Sequence, residues 1–200
     1  YAPAGVNAGP GSLGAPSRNA GVFFSKGYVS NCRIIKGTAV YTANFTPPTS
    51  PVTEVAGTSL LCNFTNAGIF DSTAENNLIT NGNAQISTAQ SKFGGSSLYF
   101  DGTGDYLYSA NTQAAFLGTG DFTIEFWYYP VDSGTQRELT YGTGDSGNFQ
   151  YLTGKTITGY FGGGGYLSGT IPLNVNSWNH ICATRTGSTA SLFINGVKDV

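Results

Sequence analysis

The chain has 200 residues, a formal net charge of −2, only 10% Asp, Glu, Lys and Arg, 14% aromatic residues and 29 glycines. Nine basic residues with no basic stripe argue against nucleic acid, where clustered cations must displace phosphate counterions. No run of about 18 apolar residues is present to span a bilayer, and no charged-then-apolar leader opens the sequence, so the expectation is a soluble chain with no membrane insertion.

This length suits one large all-β domain or two small ones, with one sizeable domain and a substantial core the preferred reading. Scarce charge with abundant Gly, Thr, Ser and Asn fits short strands joined by tight turns. Methionine is absent, so Tyr1 is not a translation start. The expectation is a processed product or a piece of something longer.

Residues 1–20, "YAPAGVNAGPGSLGAPSRNA", are rich in Pro, Gly and Ala and read as an extended or loop segment. From Gly21 the pattern changes to short alternating runs: "VFFSKGYVSNCRIIKG", "TSLLCNF", "SSLYF", "YLYSA", "DFTIEFWYYP", "NFQYLT", "TITGYF", "SWNHICATR" and "ASLFING". In "FTIEFWYY" Phe122, Ile124, Phe126 and Tyr128 fall on one face, and Thr123, Glu125, Trp127 and Tyr129 on the other. Such a strand packs a core on one side and meets a ligand or a second layer on the other.

Breaks containing Gly, Asn, Asp or Pro recur every eight to fifteen residues, and no stretch shows sustained helical spacing. The prediction is a sandwich or barrel with little helix. Asn195-Gly196, between "SLFI" and "VKDV", predicts a type I′ hairpin. Cys32, Cys62 and Cys182 each sit in an apolar strand-like run and read as buried thiols, with a disulfide as the alternative; the odd count leaves at least one unpaired within the chain.

Motifs for chemistry are sparse. "GDSGN" at Gly144 to Asn148 places Ser146 in a protease-like loop. His180, the only histidine, lies after it on a strand face with Trp178 and Cys182, so a β-turn explains the same residues. "GKT" at Gly154 to Thr156 lacks the earlier glycine of a phosphate loop, since Phe149 stands there. Glu54, Glu75, Glu125 and Glu138 are scattered, and no acid and nucleophile pair of a glycosidase is visible.

"GTGD" occurs three times, at Gly102–Asp105, Gly118–Asp121 and Gly142–Asp145. An EF-hand starting at Asp101 fails because Tyr106 and Thr112 replace its required Gly and Glu. Asp101 and Asp105 keep a candidate calcium role on a sandwich rim; otherwise no cofactor is expected. The other two stretches read as strand corners. Two "NFT" sequons, Asn44 and Asn63, would accept glycans only in a eukaryotic secretory pathway.

The succession "SKFGGSSLYFDGTGDYL", "LGTGDFTIEFWYYP", "NSWNHICATRTGSTASLFINGV" and "GYVSNCRIIKGTAVYTANFTPP" resembles laminin G-like jellyroll modules of the concanavalin A-like lectin and glucanase superfamily. It is similar to modules of marine phage structural proteins and bacterial surface proteins. The resemblance covers about residues 12–200 and implies an all-β jellyroll of two antiparallel sheets. Within it the order is unusual: residues 21–56 resemble the closing strands of a module, and residues 57–200 its opening and central strands.

Three arrangements account for that order: a circular permutant closing on itself, a strand exchanged with a neighbouring copy, or a window on a tandem array. The functional expectation is a non-enzymatic structural and adhesive module, extracellular, on a cell surface or in a virion. Its expected partners are neighbouring identical or homologous modules and cell-surface glycans, with Trp127, Tyr129, Tyr151 and Tyr160 as candidate sugar-binding rings. The alternatives are a purely architectural subunit, or a glycan hydrolase acting through Glu125.

Overall fold

The computed structural model describes residues 11–14, 24–109, 111, 113, 117–132, 136–140, 148–151, 156–160 and 166–200, with backbone alone for 136–140, 148–151, 160 and 166. The described strands, in chain order, begin with β1 (Ser12–Leu13), β2 (Lys26–Lys36), β3 (Thr58–Cys62), β4 (Leu78–Asn81), β5 (Gln85–Ser87), β6 (Ser97–Asp101) and β7 (Tyr106–Ser109). The series continues with β8 (Phe122–Pro130), β9 (Gln136–Thr140), β10 (Asn148–Tyr151), β11 (Ile157–Tyr160), β12 (Tyr166–Ser168), β13 (Asn179–Thr186), β14 (Thr189–Ile194) and β15 (Val197–Lys198).

These strands form two sheets in which the paired strands run antiparallel. One has the order β12-β11-β10-β9-β1-β7-β4, and the other β15-β14-β13-β8-β2-β6-β5 with β3 added beside β2. Alternation and turn spacing predict a sandwich or barrel; the structure is an all-β sandwich of two antiparallel sheets, the jellyroll architecture that the laminin G-like resemblance implies.

The core follows from the period-two pattern. Phe122, Ile124, Phe126 and Tyr128 of β8 are fully buried and meet Val29 and Ile34 of β2, Ile181 and Ala183 of β13, and Leu192 and Ile194 of β14. The facing sheet contributes Leu13, Leu107 and Ile157 to the same cluster. The segment read as extended or loop thus supplies β1, whose two residues pair with β7 on one side and β9 on the other.

The longest strand, β2, is the structural keystone. One edge pairs with β8, interrupted by a bulge between Ser30 and Arg33. The other is shared by β6, along Lys26 to Val29, and β3, along Cys32 to Ile35. The outer edge of β3 is covered by a polar loop: Asp71 Oδ1 accepts the Leu61 N–H at 2.8 Å, Leu61 O accepts the Ser72 N–H at 2.7 Å, and Asn76 Nδ2 donates to Ser59 O at 2.8 Å. Filling those groups removes a template for unwanted strand addition.

The Asn195-Gly196 hairpin forms as predicted between β14 and β15, with φ of 52° and 78°. A Cβ at Gly196 would lie 1.9 Å from Phe45 O, and the Gly196 carbonyl accepts the Phe45 N–H at 2.8 Å. Gly196→Ala therefore meets both a strained backbone angle and a backbone clash. The expected cost is about 2 kcal/mol or more, read as a fall in Tm of roughly 4–8 °C in a thermal melt.

Candidate functional site

Strand register lines up the outward-facing residues of the eight-stranded sheet in successive rows. Tyr99 of β6, Tyr28 of β2 and Tyr129 of β8 are direct cross-strand partners. Asn179 pairs with Tyr128, so Trp178, immediately before β13, continues that row. The next row holds Ser30, Trp127 and His180, and the one after it Arg33, Glu125, Cys182 and Phe193. A fourth row holds Ile35, Thr123, Thr184 and Ser191.

The irregular segment 37–57 crosses the rows on the Thr123 side as a strap. Thr123 Oγ1 accepts the Val40 N–H at 2.8 Å and donates to Thr38 O at 2.9 Å, while the Thr184 hydroxyl donates to Tyr41 O at 3.0 Å. Farther along, Asn44, one of the two sequon asparagines, accepts the Lys198 N–H at 2.8 Å. The Phe45 ring stacks on Tyr41 at 3.7 Å and meets His180 and Phe193 edge-on. What the alternating pattern offered as a ligand face is there a second packing layer.

Beneath the strap lies a buried polar cluster. Arg33 donates from Nε at 2.9 Å, and also from Nη2, to Glu125 Oε1, while its Nη1 donates to Thr53 O at 2.6 Å. Glu125 Oε2 accepts from the Tyr41 hydroxyl and from His180 Nε2, each at 3.2 Å. A carboxylate can only accept, so Nε2 of His180 is the donor in that contact. Glu125 is 0% exposed, Arg33 6% and His180 1%.

Burial pushes the Glu125 carboxyl up, but the His180 hydrogen bond and the Arg33 charge outweigh it and hold the group below the ordinary carboxylate value. Burial first, then the Glu125 charge, pushes the Tyr41 phenol up. The cluster is a charge-paired tether between strap and sheet. A buried carboxylate with both oxygens occupied has no route to a glycosidic oxygen, so Glu125 is not placed for glycosidase chemistry.

Trp127 is also packed away. It is 6% exposed, lies edge-on to His180 and Phe93, and is capped by the Lys92 ammonium 3.7 Å from its ring centroid. Tyr129 stands in the row left outside the strap. Tyr28 lies 4.9 Å from Tyr99 and 5.8 Å from Tyr129, and Tyr129 lies 5.6 Å from Trp178. All four rings are half-buried, forming an aromatic ribbon across four adjacent chain segments.

At one end of the ribbon Gln85 of β5 pairs with Tyr99. On its flank Lys26 and Asp132 form an exposed ion pair at 3.4 Å. Tyr28, Tyr99 and Trp178 are not evident as a set in the sequence, because only cross-strand register brings them together. Tyr151 and Tyr160 lie on β10 and β11 of the other sheet, and their side chains are outside the described residues.

Asp105 of the first "GTGD" stretch and Asp101 just before it close the turn. Asp105 is 0% exposed; its Oδ1 accepts the Asn83 N–H at 2.5 Å and its Oδ2 the Asp101 N–H at 2.7 Å. Asp101 Oδ1 accepts the Thr103 N–H at 2.7 Å. No group of three or more metal-ligating side chains occurs among the described residues. In the second stretch Asp121 Oδ1 accepts the Gly187 N–H at 2.7 Å, and the carbonyls of Gly118 and Gly120 accept from Arg185. Gly142–Asp145, Ser146 and Gly154 lie outside the described residues.

A laminin G-like family, described as concanavalin A-like lectin/glucanases superfamily, matches residues 101–199. The matched segment carries Trp127, Tyr129 and Trp178 but not Tyr28 or Tyr99. Neither a curated protein nor a solved structure matches the chain.

Glu125→Gln leaves Arg33 buried without its counter-charge, and is expected to cost about 3 kcal/mol or more in urea unfolding at pH 7. The lowered folded-state value of Glu125 also sets a pH dependence. Its contribution is fully present above the unfolded-state value of about 4.5 and is lost as pH falls below that, through the folded value. Denaturant midpoints measured from pH 7 down to pH 3 are expected to fall more steeply for the parent chain than for Glu125→Gln.

Proposed function

We propose, taking as premise that residues 101–199 form a laminin G-like module of the concanavalin A-like lectin and glucanase superfamily, that this protein is a non-enzymatic adhesive module. It binds carbohydrate along the aromatic ribbon Tyr99, Tyr28, Tyr129 and Trp178. The ribbon is the observation that carries the reading. Half-buried rings present rigid apolar surface for sugar C–H groups, and their phenol and indole groups supply the polar atoms that would fix hydroxyls. Laminin G-like modules are generally non-enzymatic, and the buried, fully engaged Glu125 supports that side of the reading.

The setting we propose is an extracellular fibre, surface appendage or virion, where many weak sites act together through avidity. A purely architectural role in such an assembly is the second reading. It is favoured by the position of β2, a central strand supplied by residues ahead of the strap, which a neighbouring copy could supply equally well by strand exchange.

A glycan array probed with the purified chain tests the first reading. Binding to at least one oligosaccharide is expected, with Tyr28→Ala and Trp178→Ala each weakening it about tenfold, equivalent to ~1.4 kcal/mol. A silent array, together with a mass of two or more copies in light scattering, would replace adhesion by architecture.

A further inference from the structure

We propose that Cys32 and Cys62 form a disulfide that staples β2 to β3 when the chain folds under oxidising conditions. The two residues are direct partners in the antiparallel register. Residues directly opposite in such a pair have Cα atoms about 4.5 or 5.5 Å apart, and both spacings fall inside the range that disulfides span. Partners in register share a face of the sheet, and here both thiols point into the core, each 1% exposed.

Between the sheets a cavity of about 30 Å³ borders both cysteines, together with Leu13, Ile34, Phe64 and Leu107. That space leaves room beside both cysteine side chains in an interior that is otherwise close-packed. Cys182 is excluded as a partner by its position. It sits across from Glu125 on the opposite face of the same sheet, beneath the strap.

The closed sandwich protects the thiols from exchange. Burial pushes Cys32 up to about 12, and Cys62 and Cys182 are likewise raised, so no reactive thiolate is presented while the strands stay paired. Opening that exposes the pair must free β3 from β2 on one edge and from the hydrogen-bonded loop of residues 71–76 on the other. The bond therefore forms during folding, or through fraying of β3.

The co-reactant is a low-molecular-weight disulfide, with oxidised glutathione as the probe. The Cys62 thiolate attacks one glutathione sulfur, breaking the oxidant's S–S bond and releasing one glutathione thiolate. The Cys32 thiolate then attacks the Cys62 sulfur of the mixed disulfide and releases the second. Two thiol protons and two electrons leave the protein, one S–S bond forms in it, and the oxidant ends as two thiols.

Refolding the full chain from the reduced, denatured state in a glutathione redox buffer tests this, followed by acid quench, alkylation in denaturant and intact-mass and peptide mapping. The expected product carries one alkyl group, on Cys182, and yields a linked peptide pair containing Cys32 and Cys62. Its Tm falls by about 5–10 °C when reductant is added. Cys182→Ser is expected to carry no alkyl group and to show the same reductant-dependent shift. Three alkylated thiols, a persisting glutathione adduct, a link through Cys182, or a link between two chains would each overturn the proposal.

Discussion

Arg33 and Glu125 face each other across the pairing of β2 with β8, and the remaining architecture is arranged so that this pair can exist in a dry place. Neither charge is tolerable there alone, since an unpaired ion in the interior loses its hydration without compensation. The pair therefore requires three things together: β2 in its register, β8 beside it, and the strap supplying the Thr53 carbonyl and the Tyr41 hydroxyl. A slip of one residue along β2 would turn Arg33 toward Phe126 and Ile124 and bring Ile34 out against Glu125. Register, strap position and charge are one constraint seen from three sides.

That constraint divides the outer face of the sheet. Under the strap the rows are packed, polar where they must be, and closed. The row left outside it carries four aromatic rings. Fixing the strap at Thr123, Thr184 and Gly196 thus decides which outward residues become a second core and which become a surface. Trp127 and Tyr129 are two positions apart on the same face of the same strand, yet one is sealed by Lys92 and Phe93 and the other stands among neighbouring tyrosines.

Local pattern revealed what local forces determine. The alternation in "FTIEFWYY" identified the core half of β8, and Asn195-Gly196 identified its hairpin, because side-chain period and permitted backbone angles are properties of short segments. The strands β4, β5, β9 and β12 left little trace: "LITN", "QIS", "QRELT" and "YLS" are short and mixed in polarity, and pairing partners rather than pattern make them strands. The fate of Glu125 was hidden for a related reason. Nothing in residues 37–57 announces that they will lie over a residue some 80 positions away. The aromatic ribbon needs four separate segments in register before it exists at all.

The position of β2 also bears on how the protein is made. Arg33 and its partner Glu125 are 92 residues apart, and at ordinary rates of synthesis β2 waits about 5–20 s for the strand it must pair with. During that interval it is an exposed, β-prone segment containing "YVSNCRII", a hazard for association with other nascent chains. Lys26, Arg33 and Lys36 give this one strand a third of the chain's nine basic residues. The arginine that becomes the buried anchor of the finished sheet is, while the polypeptide is still emerging, a charge that keeps its most central strand dissolved.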